Sequence, residues 1–69
     1  MASTGKVTGI VKWFSSNQEH GLITDEKKLD YFFLARDIIN ELLPIAGTKV
    51  LFIPIKTPAG LRAKIIEIK

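Results

Sequence analysis

The sequence predicts an all-β fold: five short strands closing into a small antiparallel Greek-key barrel, with a short helical turn between strands 3 and 4. Three observations predict it. β-Branched and aromatic residues gather in short runs, of which Lys6 to Phe14 and Val50 to Ile55 are the clearest. Polar or glycine-bearing turns separate the runs at Ser15 to Glu19, Asp25 to Lys28 and Pro58 to Gly60. The chain has 69 residues, too few for a sandwich of useful thickness but enough for a barrel, whose closure removes most of the exposed strand edge.

Strand 1 runs from Lys6 to Phe14, and Gly9 within it predicts a bend or bulge. Strand 2, His20 to Thr24, and strand 3, Tyr31 to Leu34, complete a meander. Period-two alternation on strand 3 puts Phe32 and Leu34 on one face and Tyr31 and Phe33 on the other. From Arg36 to Leu43 the spacing of Ile38, Ile39, Leu42 and Leu43 suits one face of a helical turn or two, with Pro44 as a stop. Strand 4, Val50 to Ile55, contains Pro54, which cannot donate to a ladder and so predicts an edge position or a bulge. Strand 5 is Leu61 to Ile68. Residues 1–69 form one domain, with no repeat, low-complexity segment or linker.

Ten Lys/Arg against seven Asp/Glu give a net charge of +3 and a pI near 9.5, a mild bias toward polyanions. A domain this small buries only about 60% of the surface its unfolded chain exposes. With no cysteine, stability rests on the apolar core, and a reducing cytoplasm suits the chain. Met1 to Lys6 has no apolar segment of signal-peptide length, and no run approaches the ~20 apolar residues of a membrane span. The expectation is a soluble cytoplasmic protein without membrane contact.

His20 is the lone histidine, so no metal or other cofactor is expected. Ser15 or Ser16, His20 and Asp25 or Asp30 can be written on paper as a triad, but no G-x-S-x-G or comparable context supports it, and neither an enzyme nor a catalytic residue is expected. Lys12 beside Trp13, with further aromatics on nearby strands, is how a small sheet presents stacking surfaces to bases.

These residues carry a resemblance. Thr8 to Phe14 reads as T-G-x-V-K-W-F, the opening strand of bacterial cold-shock proteins. The family's K-G-F-G-F-I motif falls on Gln18 to Ile23, its V-F-V-H-F motif on Tyr31 to Ala35, and Gly47 to Phe52 resembles its G-x-x-V-x-F strand. The chain resembles a divergent cold-shock domain nearly end to end. The resemblance implies an oligonucleotide/oligosaccharide-binding barrel that holds single-stranded RNA or DNA without sequence preference and acts as an RNA chaperone. The site it implies comprises Lys12, Trp13, Phe14, His20 and Phe32, with Arg62 from the family's last loop region.

Trp13 is expected to be exposed. Phe14 suits the rim of the surface and the core equally, and it is counted with the site. Leu22, Leu34 and Ala35 stand where the family has phenylalanine, histidine and phenylalanine, and none of them can stack. At roughly 1–3 kcal/mol per stacked base, their loss predicts binding a hundred-fold or more weaker than the family's. Gln18 and Glu19, in place of lysine and glycine, weaken it further and leave it salt-sensitive.

A second reading makes the fold a protein-contact module. If Val50 and Phe52 point inward, Leu51, Ile53 and Ile55 point outward as an apolar strip suited to a second copy of the chain, unless a bulge at Pro54 re-aims part of it.

Overall fold

The structure, a computed structural model, describes residues 5–40 and 43–69. Five strands, β1 (Val7–Ser15), β2 (His20–Asp25), β3 (Asp30–Leu34), β4 (Lys49–Thr57) and β5 (Gly60–Ile68), form a closed barrel in the order β1-β2-β3-β5-β4. A 3-10 turn, Ala35–Asp37, follows β3. The pairs β1–β2, β1–β4, β2–β3 and β4–β5 are antiparallel, as predicted. The seam between β3 and β5 is parallel, because a ring with an odd number of strands cannot alternate direction all the way round.

Inward-facing residues from every strand fill the barrel: Val11, Ile23, Tyr31, Phe33, Val50, Phe52, Ala63 and Ile66 are all buried. Alternation on β3 holds as expected, with Tyr31 and Phe33 inside and Phe32 outside. Burying side chains of this size contributes about 1.5–3 kcal/mol each, which makes this cluster the main source of stability in a chain without disulfides.

Gly9 does not mark a bend. It continues both ladders of β1, opposite Asp25 and Val50, and glycine is required there by crowding: a Cβ would lie 2.7 Å from Ile23 Cγ2 and 2.8 Å from Phe52 Cε1. The bulge comes later, where Val11 pairs with Ile23 and Trp13 with Leu22, leaving Lys12 as the extra residue.

β5 contains a second bulge. Leu51 pairs with Glu67 and Ile53 with Lys64, so Ile65 and Ile66 together face Phe52. Pro54 pairs with Ala63 in register, and the β1 ladder on β4 ends at Phe52. Pro54 therefore has the edge position its missing donor requires.

Among the described residues, the helical prediction for Arg36 to Leu43 reduces to the three-residue turn at Ala35–Asp37. Ile38 is extended and bridges Ile66, and the Ile39 amide donates to Ile66 O at 2.8 Å. Backbone pairing with β5 outcompetes helix continuation here. Leu42, part of the predicted helical face, lies outside the described residues.

The proposed strip on β4 is broken up. Leu51 and Ile53 are half-buried opposite Glu67 and Lys64, and only Ile55 is exposed. A second copy of the chain would meet little continuous apolar surface there.

The β2–β3 connector, read from the sequence as a polar turn, is organised by Asp25. Its Oδ1 accepts from the amides of Lys27 and Leu29, and its Oδ2 accepts from the Tyr31 hydroxyl, all at 2.9 Å. The Leu29 amide foremost, then the Tyr31 hydroxyl, holds the Asp25 carboxyl below its ordinary range against the opposing effect of burial. Burial, and then the bond to Asp25, pushes the Tyr31 hydroxyl up.

Candidate nucleic-acid interface

The bulge at Lys12 shapes the candidate interface. Strict alternation from Val11 would turn Trp13 inward and Phe14 outward. One extra residue reverses both. Lys12 and Trp13 are exposed side by side, while Phe14 packs on the core with its ring 5.8 Å from Phe33 and nearly parallel to it, at 14°. Of the residues assigned to the surface from the sequence, Phe14 is thus the one that lies on the inner side of β1.

The pairing register then lines up one row across four strands, in which Trp13 pairs with Leu22, Leu22 with Phe32, and Phe32 with Arg62. Trp13 and Phe32 are 41% and 37% exposed, enough for each to offer a ring to a ligand. His20 fills the gap between them, 5.4 Å from Trp13 edge-on and 5.5 Å from Phe32 at a tilt. The Arg62 guanidinium carbon sits 5.5 Å from the Phe32 ring centre, a cation–π distance. Leu22 is the half-buried floor of the row, and Leu34 lies opposite His20.

Glycine is needed at position 21 for close approach. A Cβ there would collide with the Trp13 carbonyl oxygen and would come within 2.9 Å of the Phe33 ring. Glu19, where the resembled motif has glycine, adopts a φ of 56°. That left-handed conformation is uncommon for a residue with a side chain, and here it leaves an exposed acid beside the row.

Three cations around the row, Lys12, Arg62 and Lys64, have acidic partners. Lys12 pairs with Asp30 at 3.1 Å, both of them exposed. Arg62 and Lys64 both pair with Asp37, at 3.1 and 3.4 Å, and the Asp37 side chain is only 5% exposed. The same carboxylate accepts from the Leu34 amide at 3.0 Å.

From the sequence, Asp30 was considered only as the acid of a paper triad, and Asp37 was not singled out. Asp37 does have a local signal, since an acid three residues beyond a strand end can fold back onto a backbone amide. Its contact with Arg62, 25 positions away, has none. The acids available for a paper triad are committed elsewhere, Asp25 to Tyr31 and Asp30 to Lys12, and the Ser15 hydroxyl accepts from the Gln18 amide.

A recess of about 440 Å³ lined by Thr8, Ile10, Thr24 and Lys49 lies toward the other end of β1 and shares no residue with the row. Among the described residues, no cluster of three or more His, Cys, Asp or Glu is placed to hold a metal, and no helix is long and apolar enough to cross a membrane.

No protein-family model and no curated protein matches this chain. Among solved structures it is similar to Drosophila Unr CSD456, a cold-shock-domain protein, with a TM-score of 0.77 at 17% identity. The match covers 93% of this chain and 26% of that one. The fold is that of a cold-shock domain. The chain spans about a quarter of the length of the neighbour it matches, and the likeness is one of backbone architecture.

Proposed function

We propose that this cold-shock fold binds single-stranded RNA or DNA, without sequence preference, on the face that carries Trp13, His20, Phe32 and Arg62. The observation that carries the reading is the continuity of the row. Three rings and one guanidinium follow one another in steps of 5.4, 5.5 and 5.5 Å across four strands, giving unpaired bases successive planar surfaces. Such binding needs neither an active site nor a cofactor. In the cytoplasm it would hold RNA in unpaired form, the action of an RNA chaperone.

Affinity comes mainly from stacking. Lys12 must exchange its carboxylate partner for a phosphate, and an exposed pair such as Lys12–Asp30 contributes only ~0–1 kcal/mol, so that exchange costs little. With two or three phosphate contacts the salt slope is about −2 or shallower.

Titrating Trp13 fluorescence with oligothymidine or oligouridine at low and moderate salt tests the proposal. Quenching that saturates in the micromolar range and weakens with salt is expected. Its absence at low salt, with tens of micromolar oligonucleotide, overturns the reading.

A further inference from the structure

We propose that Asp37 is a positioning residue that holds the Arg62 guanidinium over the Phe32 ring as the fourth stacking surface of the row; the inference rests on the binding reading above. Asp37 is buried, sits at the end of the turn that follows β3, and is fixed by the Leu34 amide. Its Oδ2 accepts from Arg62 Nη2 at 3.1 Å, while Lys64 approaches Oδ1. Arg62 is opposite Phe32 in the parallel seam, with its Nε buried and unpartnered. The guanidinium is therefore anchored through one nitrogen from below and packed on a ring beside it.

Two consequences separate this arrangement from an ordinary phosphate contact. Anchoring removes rotamer freedom from Arg62 before any ligand arrives, which lowers the entropic cost of binding. The carboxylate also offsets the charge of Arg62, so what Arg62 adds to the row is a plane more than a cation. Lysine has the charge without the plane and cannot substitute.

The test has an arm without ligand and an arm with it. In the free protein, NMR resonances of the Arg62 side chain should show ring-current shifts from Phe32, and these should collapse in Asp37→Asn, which retains an acceptor for the Leu34 amide. Unchanged Arg62 shifts in Asp37→Asn overturn the positioning role, whether or not the chain binds nucleic acid.

In the oligothymidine titration, Asp37→Asn and Arg62→Lys should each weaken binding about fivefold, a typical coupling between residues in contact. Asp37→Asn should add nothing in an Arg62→Ala background, and the salt slope should stay at its wild-type value in Arg62→Ala. Full affinity in Arg62→Lys, or a slope shallower by about 0.7 in Arg62→Ala, makes Arg62 a phosphate contact and overturns the stacking role. Tighter binding by Asp37→Asn makes Asp37 a competitor of the ligand and overturns its supporting role. A wild-type chain that fails to bind overturns the proposed function and the stacking role with it, and the ligand-free arm still decides whether Asp37 places Arg62.

Discussion

β1 and β5 each contain a bulge, and the two have the same geometric effect with different results. In β1, the extra residue at Lys12 lets Val11 and Phe14, three positions apart, both turn toward the core. In β5, the extra residue lets Ala63 and Ile66, also three apart, both reach it. What remains outside is Lys12 and Trp13 in the first case and Lys64 and Ile65 in the second. The β1 bulge leaves a cation and a stacking ring on the surface. The β5 bulge leaves Ile65 47% exposed with a φ of 50°, a left-handed conformation that a β-branched residue rarely adopts. The first serves the candidate interface and the second serves the core, at a cost in backbone strain.

Substitutions on and around the two bulges test that contrast. The largest effect is expected from Gly21→Ala, whose methyl group would press on the Trp13 carbonyl within the β1 bulge and on the Phe33 ring. A loss of about 3 kcal/mol, with Tm falling by well over ~10 °C, should appear in thermal melts. Trp13→Ala should weaken oligonucleotide binding about 10- to 100-fold at nearly unchanged Tm, because the ring lies outside the core. Unfolding of this variant instead would make Trp13 a core residue.

Ile65→Asn should raise stability by about 1 kcal/mol in urea denaturation and leave binding unchanged, since asparagine tolerates the left-handed region. Deleting Lys12 should remove the bulge without flipping the strand, so that Trp13 fluorescence stays that of an exposed indole; a buried, blue-shifted indole would refute the pairing that makes Lys12 the extra residue.

The smallest effect concerns Asp25, away from both bulges. Its carboxyl titrates lower in the folded chain than in the unfolded one, so its contribution is full above the unfolded value and is lost as pH falls through the folded one. Acid melts below about pH 4 should show that loss, and Asp25→Asn should flatten it. For Tyr31, whose hydroxyl is pushed up, the contribution is full below the unfolded value and is lost as pH rises through the folded one.

The strands were legible in the sequence because Val, Ile and aromatic runs between polar turns leave few alternatives at this length. Alternation put Tyr31 with Phe33 and Val50 with Phe52 on common faces, and the resemblance to cold-shock domains pointed those faces inward. Phe14 could not be placed this way, because its direction depends on an extra residue that only pairing with β2 identifies, and Gly9, the visible irregularity, drew the bulge to the wrong position. The row itself was half legible. Lys12, Trp13, His20 and Phe32 sit within local motifs, whereas the anchoring of Arg62 by Asp37 joins chain segments that only barrel closure brings together. The Arg36 to Leu43 stretch has helical spacing, yet Ile38 and Ile39 pair with Ile66, and a long-range backbone bond of that kind leaves no trace in periodicity.

Closing a five-strand ring leaves one seam where β3 and β5 meet at a single residue pair, Phe32 and Arg62. With the thinnest backbone pairing in the barrel, that seam is where transient opening should begin and where amide protons should exchange soonest. A strand of nucleic acid lying across Phe32 and Arg62 would act as a latch over this gap. The free energy of that latch would add to the stability of the whole barrel through mass action, so slowed exchange in β3 and β5 would report occupancy of the face even where no fluorescent ring is touched.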